Sequence, residues 1–247
     1  MRIRLEEQLQ QLNLEMIKMG VLCEEAINRS IEALFEKGGD ANKVSRIYDK
    51  IRSADDEIDH KEREIESLCM KILLRQQPVA SDLRIVSSVL KMISDFERIG
   101  DQASDIAELA QYLSGTELTQ KSKIREMAAE SAVMVTDCID AFVNKDLDVC
   151  RKVFAHDDIV DAMFDEIKEE IIGLIQGGNA SGEACIDLLM TAKYLERIAD
   201  HAVNVAGWVE YSITGTHGDD KGAGQSQDGK EGLEGRAGAP ESGGSPE

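Results

Sequence analysis

From the start of the chain, apolar residues recur at alternating three- and four-residue steps. Leu9, Leu12, Met16, Met19, Leu22/Cys23, Ala26 and Ala33 fall on one stripe, the signature of an amphipathic helix. This pattern predicts a helix over about 5–37, ended by Gly38-Gly39-Asp40 as a stop followed by a cap. A second helix is predicted over about 41–77. Pro78 closes it, because a residue before proline is pushed out of the α region. A third runs from about Ser81, a candidate N-cap, to Leu113, where Ser-Gly-Thr breaks the pattern. The series then repeats over about 119–144, 147–176 and 182–214, with breaks at Lys145-Asp146 and at Gln-Gly-Gly-Asn over 176–179. Six long helices joined by short loops imply antiparallel neighbours.

The second half repeats the first. Asp55-Asp56-x-Ile-Asp59 returns 102 residues later as Asp157-Asp158-x-Val-Asp161, and FERIGDQA (96–103) returns 99 residues later as LERIADHA (195–202). The expected fold is therefore all-α: six long helices in two tandem, repeat-related three-helix bundles, over 1–114 and 115–214. Helices of some thirty residues reach about 45 Å, so an elongated molecule is expected. Residues 215–247 carry ten of the chain's twenty glycines, with one Leu and no aromatic residue. They offer nothing to offset the entropy of ordering them, and a disordered tail is expected.

Composition agrees with an all-helical chain. Leu, Ile, Ala, Glu, Lys and Met dominate before residue 215, where Pro78 is the only proline, and aromatics are 4%. A net charge of −20 argues against sequence-independent nucleic-acid binding and against direct adhesion to anionic membranes, both of which need a surplus of Lys and Arg. It favours cations or a basic partner. No apolar run is long enough to cross a bilayer, and the N-terminus has no apolar secretory core. The five cysteines (23, 69, 138, 150 and 185) have no CxxC spacing and are read as small core residues of a reduced cytosol. Met16, Met19, Met70, Met92 and Met190 are read as core gap-fillers.

The candidate chemistry lies in acidic pairs. At about 100° per residue, Glu97, Asp101 and Asp105 advance around one face, at about 0°, 40° and 80°. Leu90, Ile93, Phe96, Ala103 and Ala110 take the opposite side. Glu196, Asp200 and Asn204 form the same stripe in the second copy, and the preceding helices add Asp55/Asp59 and Asp157/Asp161/Asp165. The stripes of an antiparallel pair could face each other across a shallow groove. An acidic stripe is usually a solvated face, with Arg98 and Arg197 at hand as partners. Against that, like charges at i,i+4 cost a helix a few tenths of a kcal/mol, and here the arrangement is repeated in register. Carboxylate pairs at this spacing suit hard or borderline cations. His60, His156 and His201 sit beside these acids but about 100° around the helix, as expected of surface residues, with His201 the only one open to a ligand role. No nucleotide-binding, zinc-protease or hydrolase motif occurs, so no enzyme is expected.

LKMISDFERIGDQASDIAELA (90–110), TAKYLERIADHAVNVAGWVEY (191–211), QQPVASDLRIVSSVLK (76–91) and the opening LxxQLxxLxxxMIKMG (5–20) together resemble the PhoU family over residues 1–214. The resemblance implies two three-helix bundles and metal ions bound by E/DxxxD pairs. Carried onto this sequence, the ligands are Asp55, Asp59, Glu97 and Asp101 in one set, and Asp157, Asp161, Glu196 and Asp200 in the other. Iron, zinc, magnesium, manganese and nickel are all candidates. It also implies a cytoplasmic, homodimeric negative regulator of phosphate uptake and phosphate-starvation signalling. Such an adaptor would contact the ATPase subunit of a phosphate ABC transporter and a sensor histidine kinase, reaching the membrane only through them. The alternatives are a carboxylate-bridged metalloenzyme or metal store, or an accessory subunit of another phosphate or ion transporter. Three features depart from the family pattern: Asp105 where Asn is usual, which predicts a more acidic first site, extra residues near 38–48, and the Gly-rich tail.

Overall fold

The computed structural model describes residues 2–36, 41–178 and 180–216. The stop at 38–40 lies outside the described residues, as does all of the tail beyond Thr216. The elements in chain order are α1 (Arg2–Leu34), α2 (Ala41–Gln76), α3 (Ser81–Leu113), α4 (Glu117–Lys121), α5 (Ile124–Asn144), α6 (Leu147–Gly177) and α7 (Gly182–Thr214), with no strand among the described residues. Six of them are the long helices that the periodicity predicts.

Two local features differ from the sequence expectation. The segment predicted as one helix from 119 is split, because Thr116 caps a five-residue α4 by accepting from the Thr119 amide, and Ser122 then leaves the helical region. Ser81 is the first residue of α3 rather than its cap. Ala80 occupies the cap position at φ 50° and makes no side-chain capping bond. The two breaks of the second half hold caps: Asp146 accepts from the amides of Asp148 and Val149 to start α6, and Gly178 ends it in the left-handed conformation.

Helices α1, α2 and α3 pack on one another, and so do α5, α6 and α7. The two sets are joined by a broad α3–α7 contact and a smaller α1–α5 contact. Helices α3 and α7 run antiparallel. Asp95 of α3 reaches His201 and Asn204 of α7, whereas Asp105, further along α3, feels the charge of Arg197, earlier on α7. On the other side, α1 and α5 touch where a Cβ on Gly20 would lie 1.5 Å from Ile139 Cδ1, so any larger residue there would force the Ile139 side chain to move. One continuous apolar core therefore runs through both repeats, from Leu12, Met16 and Met19 through Phe96 and Ile99 to Leu195, Ile198 and Val209. Each fully buried Ile or Leu of this set contributes about 1.5–3 kcal/mol.

Met16, Met19 and Met92 fill this core, but Met70 and Met190 are 46% and 38% exposed. Both lie on the outward side of their helices, where the pattern of sulfur-bearing apolar residues carries no information about facing. All five cysteines are buried and unpaired. Among the described residues no helix is long and apolar enough to cross a membrane.

Candidate functional site

The apolar stripes that build each bundle fix where the acids must go. With Ile58 of α2 and Ile99 of α3 fully buried, Asp55, Asp59, Glu97 and Asp101 are left along the α2–α3 seam, all half-buried. Gly100 brings the two helices close. A Cβ there would lie 2.9 Å from Ile58 Cδ1 and 3.2 Å from Asp55 Oδ1, so the Asp55 carboxylate rests against the α3 backbone. Burial pushes Asp55 up to about 6, with the like charges of Asp101, Asp59, Asp56 and Glu97 adding to it. Glu97 is raised too, first by burial and then by Asp101, with Arg98 opposing. The outer acids have counterions. Arg98 pairs with Asp101 at 3.1 Å and with Glu97 at 3.4 Å, and Arg63 pairs with Asp59 at 3.5 Å.

The α6–α7 seam repeats this arrangement with changes. Asp157 and Glu196 are half-buried, while Asp161 and Asp200 are exposed. Asp157 is also pushed up to about 6, by burial and then by Asp161, Asp200, Asp158 and Glu196. Its Oδ1 is buried and makes no hydrogen bond. Lys193 supplies a cation that the first seam lacks at the equivalent Ser94. It forms an ion pair with Glu196, although that Glu196 oxygen completes no well-formed hydrogen bond, so the pair is best read as a charge interaction. Asp161 and Asp200 are still raised, chiefly by burial and Glu196, with Lys193 opposing.

The eight acids named from the sequence are thus brought together as two seams of four. The remaining acids of the stripes are not. Asp165 is exposed and pairs with Lys168. Asp105 sits at the α3–α7 contact, raised by burial and then by Asp101 and Glu108, with Arg197 opposing. It therefore belongs to the joint between repeats as much as to the first seam. The histidines serve elsewhere: His201 Nδ1 lies 2.9 Å from Asp95 Oδ1 across α3–α7, His156 Nε2 lies 2.6 Å from Glu130 Oε2, and His60 lies 3.5 Å from Glu64. Sequence reasoning missed Asp95, which also accepts from Asn204 Nδ2 at 3.2 Å, and it missed Gly100. The one available signal for Gly100 was its replacement by Ala199 in an otherwise shared motif.

The donor chemistry suits a hard or borderline cation: carboxylate oxygens only, gathered where burial and then mutual repulsion raise both inner aspartates, with one buried oxygen of Asp157 left without a donor. A cation would relieve the charge at Asp55 and Asp157 first. Among the described residues, however, no three Asp, Glu, His or Cys side chains converge tightly enough to enclose a metal ion. The seams hold the charge for a site, and side-chain rotation would have to complete the coordination sphere.

Comparison with known proteins places this geometry in a family context. The model of the PhoU domain matches residues 16–110 and again 124–209. A phosphate-specific transport system accessory protein PhoU homolog of Clostridium acetobutylicum is 34% identical over 212 residues, covering 85% of this chain and 94% of its own length. The corresponding protein of Pseudomonas aeruginosa is 33% identical over 211 residues, covering 85% of each chain. The crystal structure of PhoU from Pseudomonas aeruginosa superposes with a TM-score of 0.75 at 30% identity, covering 85% of this chain and 99% of that one. A phosphate transport system regulatory protein PhoU from Streptococcus pneumoniae superposes with a TM-score of 0.76 at 27% identity, covering 86% and 98%.

Proposed function

This chain belongs to the PhoU family, and on that premise we propose that it is a cytoplasmic accessory regulator of phosphate transport. Its curated relatives are named as accessory proteins of phosphate-specific transport systems and not as enzymes. In this reading it works by occupancy, without turnover. It contacts the ATPase subunit of a phosphate ABC transporter and a sensor histidine kinase together, and holds the kinase in its repressing state when phosphate is plentiful. The division into units at 1–114 and 115–214, and a homodimeric state, are parts of the same proposal.

Metal binding at the two seams is the chemical core of the proposal. The observation that carries it is the pairing of Asp55 with Asp157: equivalent residues, each half-buried, each pushed up to about 6, each surrounded by like charge. A cation held by Asp55, Asp59, Glu97 and Asp101, or by Asp157, Asp161, Glu196 and Asp200, would neutralise the seam and draw adjacent helices together. Metal loading would thereby stiffen the surface presented to a partner.

The regulatory claim is tested by deleting the gene and following a phosphate-starvation reporter in rich phosphate. Derepression is expected, reversed by the intact gene but not by an Asp55→Asn/Asp157→Asn version expressed to the same level. A reporter that stays repressed after deletion would sink the regulatory role. Full complementation by the double variant would detach that role from the seams.

A further inference from the structure

On a chain carrying a net charge of −20, the first turns of α2 do the opposite of the rest. Lys43, Arg46 and Lys50 follow one another at i,i+3 and i,i+4, where like charges oppose helix formation. With Arg29 of α1 they line a cavity of about 650 Å³, together with Glu32 and Ile47. Arg29 is held by Glu25 at 2.9 Å and Lys43 by Glu36. Arg46 and Lys50, both exposed, have no ion pair among the described residues. Asp49, three residues after Arg46 and next to Lys50, is exposed as well and forms no ion pair among the described residues. The equivalent span of the second repeat, Lys145, Asp148, Arg151 and Lys152, also carries three cations and one acid, but there the acid is paired, Asp148 with Arg151.

A second cavity, of about 470 Å³, adjoins the first and shares Glu32 and Lys43 with it. Its wall is different in kind. Ile31, Phe35, Ala128 and Ala129 form its apolar part, beside Asn28 and Glu36, and the Arg125 guanidinium lies 4.0 Å from the centre of the Phe35 ring. That contact steadies the exposed Arg125 guanidinium over the ring, and a planar cation of this kind is a group on which a base could stack. The two cavities are of a size that takes small ligands. One end offers cations in the arrangement that binds phosphoryl oxygens, and the other an apolar wall, an amide and a planar cation.

We propose that this groove between α1, the start of α2 and the start of α5 binds a nucleoside phosphate. The phosphoryl groups lie along Arg29, Lys43, Arg46 and Lys50, and the base lies over Arg125 near Asn28. Among the described lining residues, Glu32 is shared by both cavities and Glu36 lines the second, so negative charge is disfavoured at the end that takes the base. The site lies on neither acidic seam, and its occupancy does not depend on the regulatory reading above.

The test is isothermal calorimetry on the full chain with ATP, GTP, adenosine and inorganic tripolyphosphate, at low and at physiological salt, with EDTA present to keep the seams metal-free. Saturable nucleotide binding that weakens with salt is expected. Arg46→Glu/Lys50→Glu should weaken it roughly tenfold or more for each cation reversed. Arg125→Ala should weaken ATP and GTP but leave tripolyphosphate unchanged. Because these are exposed substitutions, circular dichroism melts should match the parent chain. No nucleotide binding at millimolar concentration, or binding indifferent to Arg46→Glu/Lys50→Glu, would overturn the site. Tripolyphosphate binding as tightly as ATP would overturn the assignment of the base to the apolar end.

Discussion

The α2–α3 and α6–α7 seams carry the same four carboxylates in the same order, yet hold them at different depths. Asp59 and Asp101 are half-buried, while their equivalents Asp161 and Asp200 are exposed. Two exchanges accompany the change. Gly100, beside Ile58 in the first copy, corresponds to Ala199, and Ile58 to the buried Val160, a methyl added on one helix and removed from the other. Ser94, which donates to Glu62 at 3.2 Å, becomes Lys193, which is drawn to Glu196. What survives both exchanges is the inner aspartate, Asp55 or Asp157, ringed by like charge and pushed up to about 6 in each copy. The comparison teaches that depth and counterions have drifted between the repeats while the crowded inner charge has not.

If Gly100 sets the depth of the first seam, a larger residue there should have the largest effect on folding. Gly100→Val should cost about 1–3 kcal/mol through overpacking against Ile58, lowering the melting temperature by several degrees. Gly100→Ala combined with Ile58→Val, which writes the second seam's pair into the first, should recover most of it. Equal melting of Gly100→Val and the parent would show that glycine does not set the approach.

The joint between the halves is lopsided as well. Asp95 ties α3 to His201 and Asn204 of α7, whereas the equivalent of Asp95 on α7 is Tyr194. Asp95→Ala should therefore cost about 1–2 kcal/mol in urea unfolding, and Tyr194→Phe markedly less. The reverse order would mean that Tyr194 carries the joint.

The inner aspartates give the next effect, and its sign follows from the direction of the shift. A carboxylate raised from 3.8 to about 6 on folding favours the folded state only while protonated. Its contribution is complete below about pH 4 and is lost as pH rises through about 6. With chelator present, Asp55→Asn and Asp157→Asn should each stabilise the chain above pH 6, by about 1 kcal/mol after allowance for solvent screening, and do nothing near pH 4. Stabilisation that is the same at pH 4 and pH 8 would point to relieved packing instead of charge.

Lys193→Ser makes the second seam resemble the first. It should change stability by only a few tenths of a kcal/mol but tighten cation binding there by removing a competing charge. Unchanged cation affinity would show that Lys193 does not tune the seam.

Much of this frame is legible in the sequence. The long helices are readable because the apolar period persists for many turns and the breaks contain Pro78, Gly178 and the Asp146 cap. The short α4 is not, because five residues carry too little periodicity to separate from α5, and its cap, Thr116, falls inside an apparent loop. The eight seam carboxylates are legible as stripes, since a helical wheel fixes which way a residue faces. It says nothing of how near the next helix comes, so neither the close approach at Gly100 nor the differing exposure of Asp101 and Asp200 can be read from it. Its angle alone assigns Asp105 to the first seam. That angle also points towards α7, where Arg197 lies, and only the packing of the two repeats reveals it.

The central claim is that the duplicated inner aspartates mark two cation sites. Calorimetric titration of the chelator-treated chain with manganese(II) at pH 7 tests it most directly, run in parallel on Asp55→Asn, Asp157→Asn and the double variant. The account predicts saturable binding in two sets, each single variant losing its own set and the double variant losing both. Undiminished binding by a folded double variant would contradict it and return both seams to ordinary solvated acid.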